Sequence, residues 1–184
     1  MQRWLRIVAV AVLAVLLAQG CGEKASQQIA IQGGEVPDEV VSDFVTEETD
    51  SGRVSWKLTA PKAYRYNARK VFVMDDPRVE FFDEAGMLQT TLTSDNGEYF
   101  QDTRDMLAYG DVLVVSVEGD VLETDSLRYL NAEDKIVSDS RVKLTRGNDV
   151  ITGVGLECDH SLSSVDVKKN VKATIIDDEG NIDG

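Results

Sequence analysis

Few side chains in this sequence are of types that do chemistry, and their spacing argues against most of it. The only histidine, His160, directly follows Asp159. A His–Asp pair can orient an imidazole as a base, but a base also needs a nucleophile in reach, and adjacency in sequence supplies none. A surface position is the expected one for His160. No G-x-S-x-G, H-E-x-x-H or phosphate-cradling G-x-x-x-x-G-K-[ST] occurs. Carboxylates are abundant enough to give paired acids by chance, as in a glycosidase, yet no pair stands in a setting that would tune one against the other. Asp177, Asp178 and Glu179 could hold calcium weakly but lack the spacing of a calcium loop. No catalytic residue, cofactor or metal is expected.

The two cysteines carry a different chemistry. Arg3 and Arg6 precede an uninterrupted apolar run from Ile7 to Ala18. That run is short for a bilayer core, which needs about 20 apolar residues, and reads as an export signal. It ends in Ala18-Gln19-Gly20-Cys21. A small residue before a Cys at this place resembles a lipoprotein cleavage site, with Cys21 as the lipidated residue. The other reading is an uncleaved short anchor. Either way the remainder lies outside the cytoplasm and close to a membrane. With Cys21 lipidated, Cys158 has no disulfide partner. It alternates with Val154 and Leu156 and is expected to be a small core residue.

Composition narrows the partners. The chain has 33 Asp+Glu against 19 Lys+Arg, a formal charge of -14. Nucleic acid is excluded as a partner, because its affinity comes from Lys and Arg neutralising phosphates. From Ser51 to Met74 the bias reverses: Arg53, Lys57, Lys62, Arg65, Arg69 and Lys70 occur with no Asp or Glu. This stretch could meet phosphates or an acidic partner; an ordinary solvated face is the simpler reading.

What must position any site is a repeat. Leu92-Thr93-Ser94-Asp95-Asn96-Gly97-Glu98-Tyr99 recurs as Leu122-Glu123-Thr124-Asp125-Ser126-Leu127-Arg128-Tyr129 and, more faintly, from Ile151 to Cys158. Between the copies, Gly110-Asp111-Val112 recurs as Ser140-Arg141-Val142 and Asn170-Val171. A unit of about 30 residues indicates stacked supersecondary units. Inside each unit apolar residues alternate with period two, so the units are strands. The alternation predicts sixteen short strands, among them Phe44–Thr49, Val54–Ala60, Met106–Tyr109, Val112–Val117, Val121–Thr124 and Leu127–Leu130. Turn clusters should separate them, and Asp38 to Val41 could form one helical turn. The fold is expected to be all-β: a sandwich, jelly roll or solenoid. Residues 1–20 read as the signal, 21–39 as a flexible tether, 40–176 as the β domain and 177–184 as a loose acidic tail. Inward positions should form two ladders: Leu58, Leu92, Leu122 and Ile151 in one, and Val79, Val112, Val142 and Val171 in the other. Trp56, Phe81, Val114 and Leu144 extend the apolar set.

Several of these strings together resemble the LptC family. They are Trp56-x-Leu58-x-Ala60-x-x-Ala63, Val79-x-Phe81-Phe82-Asp83-x-x-Gly86, Leu92-x-Ser94-x-x-Gly97-x-Tyr99, Gly110-x-Val112 and Gly119-x-x-Leu122-x-Thr124-x-x-Leu127-x-Tyr129. The likeness covers about Val40 to Ile176. It implies a twisted two-layer β-jellyroll of antiparallel strands, shared with LptA-like proteins, whose apolar groove holds the acyl chains of lipopolysaccharide. The groove would then be lined by the apolar set just named. The resemblance further implies an N-terminal edge (Phe44, Val45, Thr46) that meets an inner-membrane LptBFG transporter. A C-terminal edge (Val165, Val167, Ala173, Ile175) would receive an LptA-like bridge protein. The anchor departs from the family pattern, in which a transmembrane helix is usual. An exported β-repeat lipoprotein with a scaffold role is the alternative.

Overall fold

The structure is a computed structural model, and it describes residues 35–176 and 182–183. Twelve strands and no helix occur among the described residues: β1 (Glu39–Asp50), β2 (Arg53–Tyr66), β3 (Val71–Asp75), β4 (Arg78–Phe82), β5 (Leu88–Thr93), β6 (Asn96–Phe100), β7 (Met106–Ser116), β8 (Val121–Leu130), β9 (Lys135–Arg146), β10 (Asp149–Asp159), β11 (Val165–Ile176) and β12 (Ile182–Asp183). All pairings are antiparallel, and the fold is an all-β jellyroll.

The strands are fewer and longer than the alternation predicts. Met106–Tyr109 and Val112–Val117 merge into β7, and Val121–Thr124 and Leu127–Leu130 into β8. The same happens in β9, β10 and β11. Gly110-Asp111 and Asp125-Ser126 are bends inside strands that stay paired, whereas Asn131 to Asp134 and Gly147-Asn148 are turns, as expected. The register slips between Tyr109 and Val112, between Thr124 and Arg128, and between Val154 and Leu156. An extra residue bends a strand and strengthens its twist without ending it. Gly110 (φ 78°) and Gly155 (φ 77°) take the left-handed conformation that such a bend needs. The helical turn expected at Asp38 to Val41 does not form; β1 begins at Glu39 because its backbone pairs with Arg65 on β2.

The bends in β7, β8 and β10 fall at one level, so they make a crease. Where the chain breaks instead of bending, at Asp76-Pro77 and at Ser94-Asp95, it does so at the same level. Asp76 N–H donates to Asp95 C=O and Asp95 N–H to Gly110 C=O, both at 2.9 Å, tying the crease across three segments. On one side lie the first half of β2, then β4, β5, the second half of β7 and the first half of β8. On the other lie the second half of β2, then β3, β6, the first half of β7 and the second half of β8. The two halves face each other: Phe81 on β4 meets Tyr129 on β8 edge-on at 5.0 Å, and Trp56 on β2 meets Tyr99 on β6 at 5.8 Å.

The residues expected in two separate ladders fall mostly into one row across the first layer. Successive partners are Leu58, Val79, Leu92, Val114, Leu122, Leu144, Ile151 and Ala173. The two recurring phrases are neighbouring antiparallel strands, so their inward residues interleave. Val112 and Val142 flank Thr124 in a second, shorter row. Val171 belongs to neither: the register slips between Thr152 and Val154, and Val171 is 54% exposed.

Close approach of β11 to β10 depends on Gly153. A methyl group there would strike the Val167 side chain and lie 2.9 Å from Lys169 C=O. Replacing Gly153 by Ala is expected to cost about 1–3 kcal/mol, as overpacking does. Urea unfolding checks the loss, and hydrogen exchange should place the loosening in β11. Unchanged stability would show that β11 is not clamped.

Candidate functional site

A chain without catalytic geometry can still act through its interior and its edges. Ten of the twelve residues expected in a groove are closed off: Trp56, Leu58, Val79, Phe81, Leu92, Val112, Val114, Leu122, Val142 and Leu144 are each 4% exposed or less. The void between the layers, lined by Leu58, Met74, Val79, Leu92, Met106 and Leu127 among others, is about 20 Å³. That holds about one water-sized sphere and no acyl chain. In this state the groove is a packed core.

The closure is not uniform along the row. Ile151 is partly buried, and beyond it Ala173 and Ile175 on β11 lie exposed. Lower on the same strand Val165 and Val167 pack partly against the core. The apolar interior therefore comes to the surface at the C-terminal edge. There β11 pairs with β10 along its length, and with β12 only at Ile175 and Ile176. On the outer face, Lys135 on β9 and Lys168 on β11 both donate to Glu157 on β10. Those hydrogen bonds keep the Glu157 carboxyl at about 2, well below the usual carboxylate range. At the other end β1 pairs with β2 alone among the described strands. Phe44 is buried against Phe72 at 4.7 Å between ring centres, Val45 points outward at 57% exposure, and Thr46 is partly buried. Both edges leave rows of backbone donors and acceptors open to another strand.

Opposite the crease, the two layers meet through side chains and not through strand pairing. Besides the Trp56–Tyr99 ring contact, these contacts close the seam. Arg104, in the β6–β7 turn, pairs with Glu48 on β1. Trp56 Nε1–H donates to Asn131 Oδ1 at 3.1 Å. Phe81 takes Tyr129 edge-on and His160 in a stack at 5.5 Å. Arg146 binds Asp120 at 2.7 Å within one layer and the Leu162 carbonyl at 2.6 Å in the other. Asp134 accepts from the Tyr129 hydroxyl at 2.9 Å and lies 3.0 Å from His160 Nδ1. Burial, then the charge and hydrogen bond of Asp134, raise Tyr129 well above the ordinary phenol range, so it stays a donor. Sequence reasoning missed this seam entirely. Its members are scattered over strands and turns far apart in the chain, and no local pattern links them.

The remaining candidates resolve simply. His160 is half-buried in the seam, and its carboxylate neighbour is Asp134, not Asp159. Asp159 instead caps its own turn, accepting from the hydroxyls of Ser161 and Ser163. Cys158 is buried, and burial pushes its thiol to about 12, with Asp159 and Glu157 adding to the effect. Such a thiol is inert at neutral pH. In the basic stretch, Arg65 pairs with Glu39, Arg69 with Glu98 and Lys70 with Asp102. This is a solvated face of weak ion pairs. Among the described residues no group of His, Cys, Asp and Glu is placed to hold a metal ion. Cys21 lies outside the described residues.

The seam bonds are testable one at a time. Asn131→Ala leaves the Trp56 N–H unpaired and is expected to cost about 1–3 kcal/mol in urea unfolding. A loss near zero would mean that this contact does not hold the layers together.

Comparison with known proteins gives these features a context. Among solved structures, the chain is similar to LptH of Pseudomonas aeruginosa, described as the LptA homologous periplasmic component of the lipopolysaccharide transport device. The likeness covers 65% of this chain and 94% of that one, with a TM-score of 0.51 and 15% sequence identity. At that identity it speaks for the fold. No curated protein matches the chain. A family model described as "Lipopolysaccharide-assembly, LptC-related" matches residues 5–177, nearly the whole sequence. The chain belongs to the LptC family.

Proposed function

We propose that this protein is a lipopolysaccharide export component held at the periplasmic face of the inner membrane through its N-terminus. It receives lipopolysaccharide from an LptBFG-like transporter at the β1 edge. It passes the lipid to an LptA-like bridge at the β11 edge. The observation that carries this reading is the interior row from Leu58 to Ala173, which runs through seven strand pairings and surfaces beside an edge strand. A bridge protein adding a strand to β11 would extend that row into its own interior, using main-chain hydrogen bonds for affinity.

The protein acts here as a conduit and not as an enzyme. The residues that face the lipid are the buried Trp56, Leu58, Val79, Phe81, Leu92, Val112, Val114, Leu122, Val142 and Leu144, together with the partly buried Ile151. For acyl chains to enter, the layers must part along the seam. Each buried CH₂ returns about 0.8 kcal/mol, so a chain of a dozen carbons offsets several seam contacts. Work for the cycle comes from the transporter's ATPase, since this sequence has no phosphate-binding loop. A lipid on Cys21 would keep the domain within reach of its transporter.

One observation favours a second reading. An interior closed down to about 20 Å³ is also what a plain scaffold lipoprotein would have. The two readings separate in the cell. With a photoreactive residue at Leu92 or Leu122, the conduit reading predicts ATP-dependent adducts with lipopolysaccharide at both positions. No adduct at either, in a protein shown to be folded and exported, would leave the scaffold.

A further inference from the structure

One step from the interior row toward the seam, a second row runs across the same layer. Its successive cross-strand partners are Trp56, Phe81, Thr90 and Ser116. Each stands two residues from a member of the interior row on its own strand: Leu58, Val79, Leu92 and Val114. Side chains two apart on a strand share a face, so this second row also points inward. All four are buried. The first two are rings of the seam. The last two are hydroxyls.

Thr90 has no packing reason to be a threonine. It is fully buried, and no protein group lies within hydrogen-bonding reach of its Oγ1. Among the described residues no other hydroxyl is so placed. A buried hydroxyl without a partner is rare and costs stability. Valine has the same branched shape and suits a strand as well, without that cost. Beside it, Ser116 Oγ accepts from the Asp120 N–H at 3.1 Å, which leaves the serine O–H to donate elsewhere. Two neighbouring hydroxyl donors therefore face the interior at its seam side.

Their surroundings say what kind of acceptor fits. Leu92 and Val114 lie immediately toward the crease and Phe81 across the strand, so the acceptor must be joined to an apolar chain. It must also be uncharged, because burying an ion there would be costly. The carbonyl at the head of an acyl chain meets both conditions. This end of the interior is closed by a displaceable piece. Leu162, in the β10–β11 turn, is fully buried with a left-handed φ of 62°, which a bulky side chain rarely adopts. Its carbonyl is held by Arg146, which is itself bound to Asp120.

We propose that Thr90, with Ser116 beside it, binds the acyl carbonyl of an entering lipid chain. The tail then lies along Leu92 and its row, and the head stays at the seam. The proposal rests on the transport reading and names the group of the lipid that this wall recognises. It sets how deep a chain is seated and favours acyl lipids over plain hydrocarbon.

The full chain in nanodiscs of ether-linked phospholipid, which carry no acyl carbonyl, would be titrated with lipopolysaccharide isotope-labelled at its acyl carbonyls and followed by NMR. The expected result is a saturable carbonyl shift with the wild type and with Thr90→Ser. In Thr90→Val the shift should shrink and the affinity fall about three- to tenfold, as for one lost uncharged hydrogen bond. The same variant should be as stable as the wild type in urea unfolding, or more so. Equal affinity in Thr90→Val would overturn the proposal; if that variant is also less stable, the hydroxyl serves the fold and not the lipid. If photoadducts form at Leu92 and Leu122 while Thr90→Val binds like the wild type, transport stands and the carbonyl site falls. If binding depends on Thr90 but no adduct forms in the cell, the carbonyl site stands and the transport reading falls.

Discussion

A sheet with apolar side chains on one face has to cover that face, and this one covers it with itself. The covering works only because the long strands bend at one level. A bulge at Tyr109 to Val112, another at Thr124 to Arg128 and the left-handed Gly155 put the two halves of each strand on opposite layers. A bend displaced by one residue would turn the inward residues of half a strand outward. Everything else follows from the crease: the interior row, the closure of the core, and the seam on the opposite side, where strand ends face each other and cannot pair.

The crease and the seam differ in kind, and the difference matters for function. Backbone bonds hold the crease, and they are continuous with the sheet ladders. A few side-chain contacts hold the seam: one Trp–Asn bond, two arginine contacts and a group of rings. Opening the seam leaves every strand pairing intact. Opening the crease would break the sheet. On the proposed reading, a lipid would meet the weaker side first, and the interior would exchange protein–protein contacts for protein–lipid contacts of similar quality.

The period-two alternation, the repeat and the all-β class were legible because they are local. So was the burial of Leu58, Leu92, Leu122 and Cys158. The strand count was not, because Gly110-Asp111 and Asp125-Ser126 have turn chemistry whether they end a strand or bend it. The ladders were misassigned for a related reason: a sequence repeat does not say that successive phrases are adjacent antiparallel partners. Val171 looked like Val112 and Val142, but the slip between Thr152 and Val154 carries it out of the row. The seam was invisible, since Glu48, Trp56, Phe81, Arg104, Asn131 and His160 come together only once the sheet has folded over. The family likeness, by contrast, rested on several spaced motifs, and the family model that matches residues 5–177 agrees with it.

The central claim is that lipid enters by parting the layers at the seam. The direct measurement is the distance across it, by electron spin resonance between non-thiol spin labels encoded at Glu84 and Glu133, in turns of opposite layers. The account predicts one narrow distance in the free protein and a longer one once lipopolysaccharide is bound, with labels placed across the crease unmoved. An unchanged seam distance in protein carrying bound lipid would contradict it.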